Sequence, residues 1–218
     1  MATIVDLSHV LADGTVTYPG LPAPVISDHL SRADSHTRYA PGYEFQIGRI
    51  DMVSNTGTYL DTPFHRFADG HDLAGLDPAR VADIPGVMVD AGDPQEIGPE
   101  SLDGVEVAGR AVLFRTGWSR HWETPRYGEP DHPYLAAATA SRLVAEGAAV
   151  VGIDSLNVDG TRNGERPVHT ILLEAGIPII EHMCSLADVG DRPFRFFAVP
   201  PAITGMGTFP VRALAFVG

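Results

Sequence analysis

The sequence predicts a single α/β domain, residues 1–218, built on a mixed, partly parallel central sheet, and three observations predict it. In the last third, the apolar spacing runs helix, strand, helix, strand, an order that contains a βαβ crossover and therefore a locally parallel sheet. In the middle of the chain, short apolar runs are bounded by Gly or Asp on at least one side, as buried strands are. Gly (23) and Pro (18) are spread throughout, which implies many short elements joined by tight turns. A chain of 218 residues buries one sizeable core, and no stretch resembles a linker that would divide it.

Taken in order, Thr3 to Leu7 reads as a short apolar strand, and Asp13 to Pro24 is turn-rich, with Tyr18-Pro19-Gly20 inside it. Phe45 to Val53 reads as a strand, as do Val87 to Val89 and Ala111 to Phe114. Tyr134 to Glu146 has helical spacing through Leu135, Ala138, Leu143 and Val144, and it stops at Gly147, a good C-terminal cap. The strand Ala148 to Ile153 follows. Pro167 opens a second short helix, Val168 to Ala175, closed by Gly176, before the strand Ile177 to Ile180. Functional groups gather at the carboxyl ends of strands in such sheets, which nominates Asp154 and Glu181.

Composition narrows the function classes. A formal net charge of -13 opposes a phosphate-backbone partner, which requires clustered cationic side chains, so nucleic acid is not expected. With 44% hydrophobic and 20% charged residues, the chain belongs with globular proteins rather than disordered or membrane ones. The longest apolar stretch, around Gly147 to Ile153, is too short to span a bilayer, and MATIVDLSHV lacks a basic n-region, so the cytoplasm is the expected compartment. Cys184 is the only cysteine, which excludes an internal disulfide or a CxxC motif and leaves it as a buried spectator thiol.

The segment Ser54 to His65 is the most unusual in the chain. If it is extended, Asn55, Tyr59, Asp61 and His65 project to one face, because strand side chains alternate with a period of two. Pro63 cannot donate to a ladder, so a bend there would swing His65 around relative to Asp61. A polar outer strand face is the other reading of this stretch. His169 and Glu181 lie twelve residues apart, and the crossover brings both toward one edge of the sheet. Taken singly, they also read as a helix-start residue and a solvated strand end. Taken together, Asp61, His169 and Glu181 form a one-nitrogen, two-carboxylate set suited to a divalent ion such as zinc or manganese, with positions left for water and substrate.

The segment resembles H-x-G-T-H-x-D-x-P-x-H, the signature of the cyclase family, which includes bacterial kynurenine formamidases, isatin hydrolases and trans-dienelactone hydrolases. Five of its seven fixed positions are kept, as Gly57, Thr58, Asp61, Pro63 and His65. The likeness extends to Val5-Asp6-Leu7-Ser8, Tyr18-Pro19-Gly20, Val151-Gly152-Ile153-Asp154, His169, Ile180-Glu181 and the closing Gly207-Thr208-Phe209-Pro210-Val211-Arg212-Ala213. The resemblance implies the family's swivelling β/α/β-like fold and assembly as a homodimer or homotetramer, with the loop Tyr18 to Pro24 as candidate arm. It also implies a metal set of Asp61, His169 and Glu181, His65 as acid/base, and Tyr18 against the substrate.

Asn55 and Tyr59 stand where the family has its first two signature histidines, so a first metal site looks dismantled. An amide oxygen is a weak ligand, and a phenol with a pKa near ~10 is poorly ionised at neutral pH. Two activities remain open. One is a hydrolase of a small amide or lactone that uses one divalent ion and His65, with Thr58 and Asn55 orienting the substrate and Tyr18, Tyr59, Phe64 and Trp118 lining the pocket. The other is a metal-free cyclase, isomerase or binder of an aromatic or polyketide-like metabolite. It would use Tyr59 and His65 as an acid/base pair, with Asn55 holding an oxyanion.

Overall fold

The computed structural model describes residues 3–92 and 94–218. In chain order its strands are β1 (Thr3–Asp6), β2 (Val25–Leu30), β3 (Ile47–Asp51), β4 (Tyr59–Asp61), β5 (Ile84–Asp90), β6 (Glu96–Ile97), β7 (Ala111–Arg115), β8 (Tyr134–Leu135), β9 (Val150–Ile153), β10 (Ile179–Glu181), β11 (Phe194–Phe197), β12 (Thr208–Pro210) and β13 (Leu214–Val217). The helices are α1 (Arg32–Ser35), α2 (Ala137–Ala145), α3 (Pro167–Glu174) and α4 (Leu186–Val189). Nine strands form one sheet in the order β1-β13-β11-β5-β7-β9-β10-β4-β12. Its centre, β5-β7-β9-β10, is parallel, and antiparallel strands extend it on both sides.

The centre is parallel because helical crossovers return the chain to the same end of the sheet, and α2 and α3 are the crossovers around β9. Helices α2 and α3 cover one face, and α4 with loops and outer strands the other, so β9 is buried at all four residues and reads as a continuous apolar run. Residues of β7 still alternate in destination. Val112 and Phe114 pack with Leu143, Val168 and Leu172 of the helices, whereas Ala111 and Leu113 join Leu60, Ile180, Met183 and Phe196 on the opposite face.

The helix expected from Tyr134 begins at Ala137 instead. Tyr134 and Leu135 pair in parallel with Glu96 and Ile97, and the Tyr134 amide donates to the Gln95 carbonyl at 2.8 Å, so the backbone there is committed to a ladder. The strand expected at Phe45 to Val53 is present as β3 but lies outside the main sheet, paired with β2 in a separate antiparallel ribbon. Val25, Ile26, Ile47 and Ile50 on that ribbon are exposed.

Candidate active site

The long extended segment expected from Ser54 to His65 is only three residues of strand, Tyr59–Asp61. Gly57 turns the chain before it at φ 66, and a Cβ at that position would collide with the Leu11 side chain. After it, Pro63 opens a single 3-10 turn through His65. This is the bend expected of a residue without an N–H. It brings His65 back over Asp61, with Nδ1 3.8 Å from Oδ1.

β4 sits between β10 and β12, and register decides what each of its residues meets. Tyr59 faces Glu181 and Pro210, and Asp61 faces Ile179 and Thr208. Just before Thr208, Gly207 lies so close to the His65 turn that a Cβ there would collide with the His65 backbone. Thr208 is thereby held between two groups: its hydroxyl donates to Asp61 Oδ1 and lies 2.8 Å from His65 Nδ1. A hydroxyl has one proton. With that proton given to the carboxylate, the Thr208 oxygen accepts from His65 Nδ1–H, and His65 Nε2 carries the free lone pair.

His169 lies in the first turn of α3. Asp159 orients it, because its carboxylate accepts from His169 Nδ1 at 2.7 Å and from the amides of Val168 (2.7 Å) and His169 (3.0 Å). Nε2 is left facing Asp61 Oδ2 at 3.7 Å and Glu181 Oε1 at 3.6 Å. Burial disfavours the imidazolium, but Glu181, Asp159 and Asp61 outweigh it and push the His169 pKa up to about 10. Burial, reinforced by Asp61 and opposed by His169, pushes Glu181 up to about 7. Burial also acts to raise Asp61, yet the histidines at 65 and 169 hold it below the usual carboxylate value.

This donor set fits a divalent cation. Asp61 Oδ2 is buried without a hydrogen-bond partner, which is costly unless something positive meets it. Two ligand atoms each about 2.1 Å from one ion lie roughly 3.0–3.5 Å apart, close to the separations of His169 Nε2 from Asp61 and Glu181. One ligand atom each from Asp61, His65 and His169 also lie within 4.8 Å of one another. Glu181 stands outside that triplet and reaches the site through His169.

Glu181 is held on both oxygens. Oε1 accepts the Val158 amide at 2.6 Å, and Oε2 accepts the Tyr59 hydroxyl at 2.7 Å and Asn157 Nδ2 at 3.4 Å. Behind Tyr59, His182 Nε2 lies 3.3 Å from the phenol oxygen, and His182 Nδ1 lies 2.9 Å from the Tyr127 hydroxyl. Burial drives the His182 pKa down to about 3, so the ring is neutral. Since Tyr59 donates to Glu181, it accepts from His182 Nε2–H, and Nδ1 accepts from Tyr127. Every proton in this chain points toward Glu181.

These groups open onto a cavity of about 370 Å³, lined by Tyr18, Pro19, Gly20, Leu21, Asn55, Tyr59, His65, Arg66, Asn157, Arg166, His169 and Glu181. Asp61 is fully buried and outside that lining. The loop that begins at Tyr18 lines the cavity of its own chain. Two expected substrate contacts are corrected. Thr58 is buried and faces away, its hydroxyl donating to the His182 carbonyl and accepting the His9 amide at 3.0 Å. Phe64, in the middle of the Pro63–His65 turn, is absent from the cavity wall, because the turn that brings His65 inward leaves its neighbour elsewhere.

Trp118 is buried against Tyr127 and Leu156 rather than in the cavity. Asp154 binds Thr116 and the Gly117 amide, so its strand-end position is structural. Tyr59 does line the cavity, but burial, Glu181 and Asp61 raise its pKa well above the usual phenol value, and its proton is given to Glu181. That arrangement does not provide the acid/base partner of His65 envisaged for a metal-free reaction. Cys184 is half-buried, with burial pushing its thiol up, as expected of an unactivated cysteine. Sequence reasoning missed Asp159, Asn157, Arg66, Arg166 and Thr208. Asp159, ten residues before His169, had no motif to mark it, and Thr208 was noted only within the family-like closing segment.

Comparison with known proteins gives a consistent outcome. A Cyclase family model, described as "Putative cyclase", matches residues 5–160. The kynurenine formamidase of Bacillus cytotoxicus is 32% identical over 217 residues, covering 96% of this chain and 95% of that enzyme. Among solved structures, a predicted metal-dependent hydrolase from Bacillus stearothermophilus superposes with a TM-score of 0.77 at 25% identity, covering 99% of this chain and 98% of that one. Isatin hydrolase A from Ralstonia solanacearum shares the fold at a TM-score of 0.83 and 22% identity, covering 100% of this chain and 92% of that one.

Proposed function

This chain belongs to the cyclase family, and from that premise we propose that it is a metal-dependent hydrolase of a small amide or lactone. The observation that carries the proposal is the buried, unpartnered Asp61 Oδ2 facing His169 Nε2 at 3.7 Å, with Glu181 on the other side of the same nitrogen at 3.6 Å. Asp61, His169 and Glu181 would hold one divalent ion, zinc or manganese. When bound, the ion supplies Lewis acidity to water and to the substrate carbonyl.

The remaining work falls to the chain's own side chains. His65, fixed at Nδ1 by Thr208, presents Nε2 to take a proton from the attacking water and return it to the leaving group. Asn55 lines the cavity and offers amide protons to a developing oxyanion. The Tyr18 ring, beside Pro19 and Leu21, provides a flat apolar wall.

Assembly as a homodimer or homotetramer is part of the same proposal, supported by the exposed apolar side chains of the β2–β3 ribbon. A cytoplasmic location is likewise proposed, supported by a single cysteine in the chain. Among the described residues, no helix is long and apolar enough to cross a membrane.

The test is elemental analysis of native protein combined with turnover of formanilide. Near-stoichiometric metal and hydrolysis are expected, and His169→Ala loses both while retaining its circular dichroism. Full turnover by metal-free protein would end the proposal.

A further inference from the structure

We propose that the substrate carries a carboxylate on a flat ring, and that Arg166, assisted by Arg66, binds that carboxylate at the cavity wall; this rests on the hydrolase reading of the same cavity. The chain has a formal net charge of -13, so its overall field disfavours an anion. The cavity wall departs from that composition. It contains two guanidinium groups, and its only acidic residue is Glu181. Both Glu181 oxygens are already engaged by Val158, Tyr59 and Asn157. Neither arginine is therefore needed to neutralise an acid of the site, and among the described residues neither forms an ion pair.

Arg166 is built in rather than draped over the surface. It is half-buried immediately before α3, and its Nη1 donates to the carbonyls of Gly160 (3.2 Å), Asn163 (3.0 Å) and Glu165 (2.7 Å). Those bonds hold the guanidinium in place, with the Tyr18 hydroxyl beside it as a neutral neighbour, and no carboxylate among the described residues pairs with it. A held planar guanidinium whose charge is unpaired is suited to recognise a carboxylate, and little side-chain entropy is left to lose on binding. Arg66 is held by its own contacts, with Nε on Thr170 Oγ1 at 3.2 Å and the guanidinium 5.3 Å from the centroid of the Phe67 ring. With Tyr18 and Leu21 supplying ring and aliphatic surface to the same wall, a cavity of about 370 Å³ suits one small ring bearing an acid group.

The experiment compares formanilide with 2-, 3- and 4-formamidobenzoate, which share the ring and the scissile formamide and differ in the carboxylate. Benzoate and benzamide serve as non-reacting calorimetric probes of the same holoenzyme. At least one formamidobenzoate should exceed formanilide in kcat/KM by tenfold or more. Arg166→Gln and, separately, Arg66→Gln should collapse that ratio toward one, mainly through KM of the carboxylated substrate. Arg166 also anchors the loop around Gly160 to Glu165, so the exposed Arg66 is the variant that keeps the test interpretable if Arg166→Gln fails to fold.

Hydrolysis of formanilide equal to that of every isomer would overturn the carboxylate proposal and leave the hydrolase reading standing. No hydrolysis of any substrate, with benzoate bound in preference to benzamide and released by either substitution, would do the reverse. Benzoate binding that neither substitution weakens would overturn the arginine assignment.

Discussion

Tyr59 donates its hydroxyl proton to Glu181 Oε2 at 2.7 Å, across the antiparallel pairing that sets these two residues opposite each other in β4 and β10. The tyrosine stands where the family-like signature would carry a histidine, and its proton fixes one oxygen of the carboxylate beside His169. Removing that donor leaves Oε2 with only Asn157 at 3.4 Å. Tyr59→Phe should lower stability by about 1–3 kcal/mol through the under-satisfied buried carboxylate and weaken divalent-metal affinity by roughly tenfold or more. Urea unfolding and chelator competition read the two effects, and unchanged values in both would dismiss the role given to this hydrogen bond.

Thr208 connects Asp61 to His65 Nδ1 and thereby sets which imidazole nitrogen is free. Thr208→Val keeps the shape and removes the connection. Turnover per bound metal should fall by about 10²-fold, the usual scale of a general base. A variant with wild-type kcat would show that His65 is oriented by something else.

Asp159 holds His169 at Nδ1 and caps the two amides at the start of α3. Asp159→Asn retains an acceptor but loses the charge, so metal affinity should drop about 10–100-fold. Equilibrium dialysis against zinc and manganese measures this directly, and an unaltered Kd would remove Asp159 from the account.

Acid should destabilise the protein through histidines buried in the neutral form. Burial lowers His9, stacked on Trp122 at 3.9 Å, to about 4 and His182 to about 3. An unfolded chain takes up protons on both from pH 6.5 downward while the folded one does not, so stability is complete above 6.5 and falls as pH approaches these folded values. Each contributes roughly 2 kcal/mol of loss by about pH 4.5. Urea-derived stabilities at neutral and acid pH should differ less in His182→Asn than in wild type; equal slopes would refute the assignment.

The β2–β3 ribbon places Ile26 and Ile50 directly opposite each other, and both are exposed. A charge at either position would sit in any interface that covers them. Light scattering should find an oligomer for the wild type and a smaller species for Ile26→Glu combined with Ile50→Glu. Identical masses would remove this ribbon from the proposed interface.

Much of this molecule was legible before folding. The parallel strands β7, β9 and β10 and the helices between them are written in apolar runs and in Gly and Pro punctuation, because burial on both faces demands continuous apolar residues. Asp61 and His65 stood out on one face of an unusually polar segment, Glu181 at a strand end and His169 through the crossover that brings it toward Glu181, and the bend at Pro63 followed from its missing N–H. The start of α2 was misplaced because Tyr134 and Leu135 have helical spacing, but the Tyr134 amide donates to the Gln95 carbonyl and the Leu135 amide to the Val158 carbonyl.

The chain alone determined the family, the sheet and four polar positions. Only the tertiary structure decided how those positions are oriented: Thr208 reaches Asp61 across 147 residues, Tyr59 meets Glu181 across 122, and Arg166 joins a cavity wall whose other residues come from distant parts of the chain. The reason is physical. Local propensity records whether a residue is buried, whereas the partner it meets depends on strand register and loop closure, which are settled when the whole core packs.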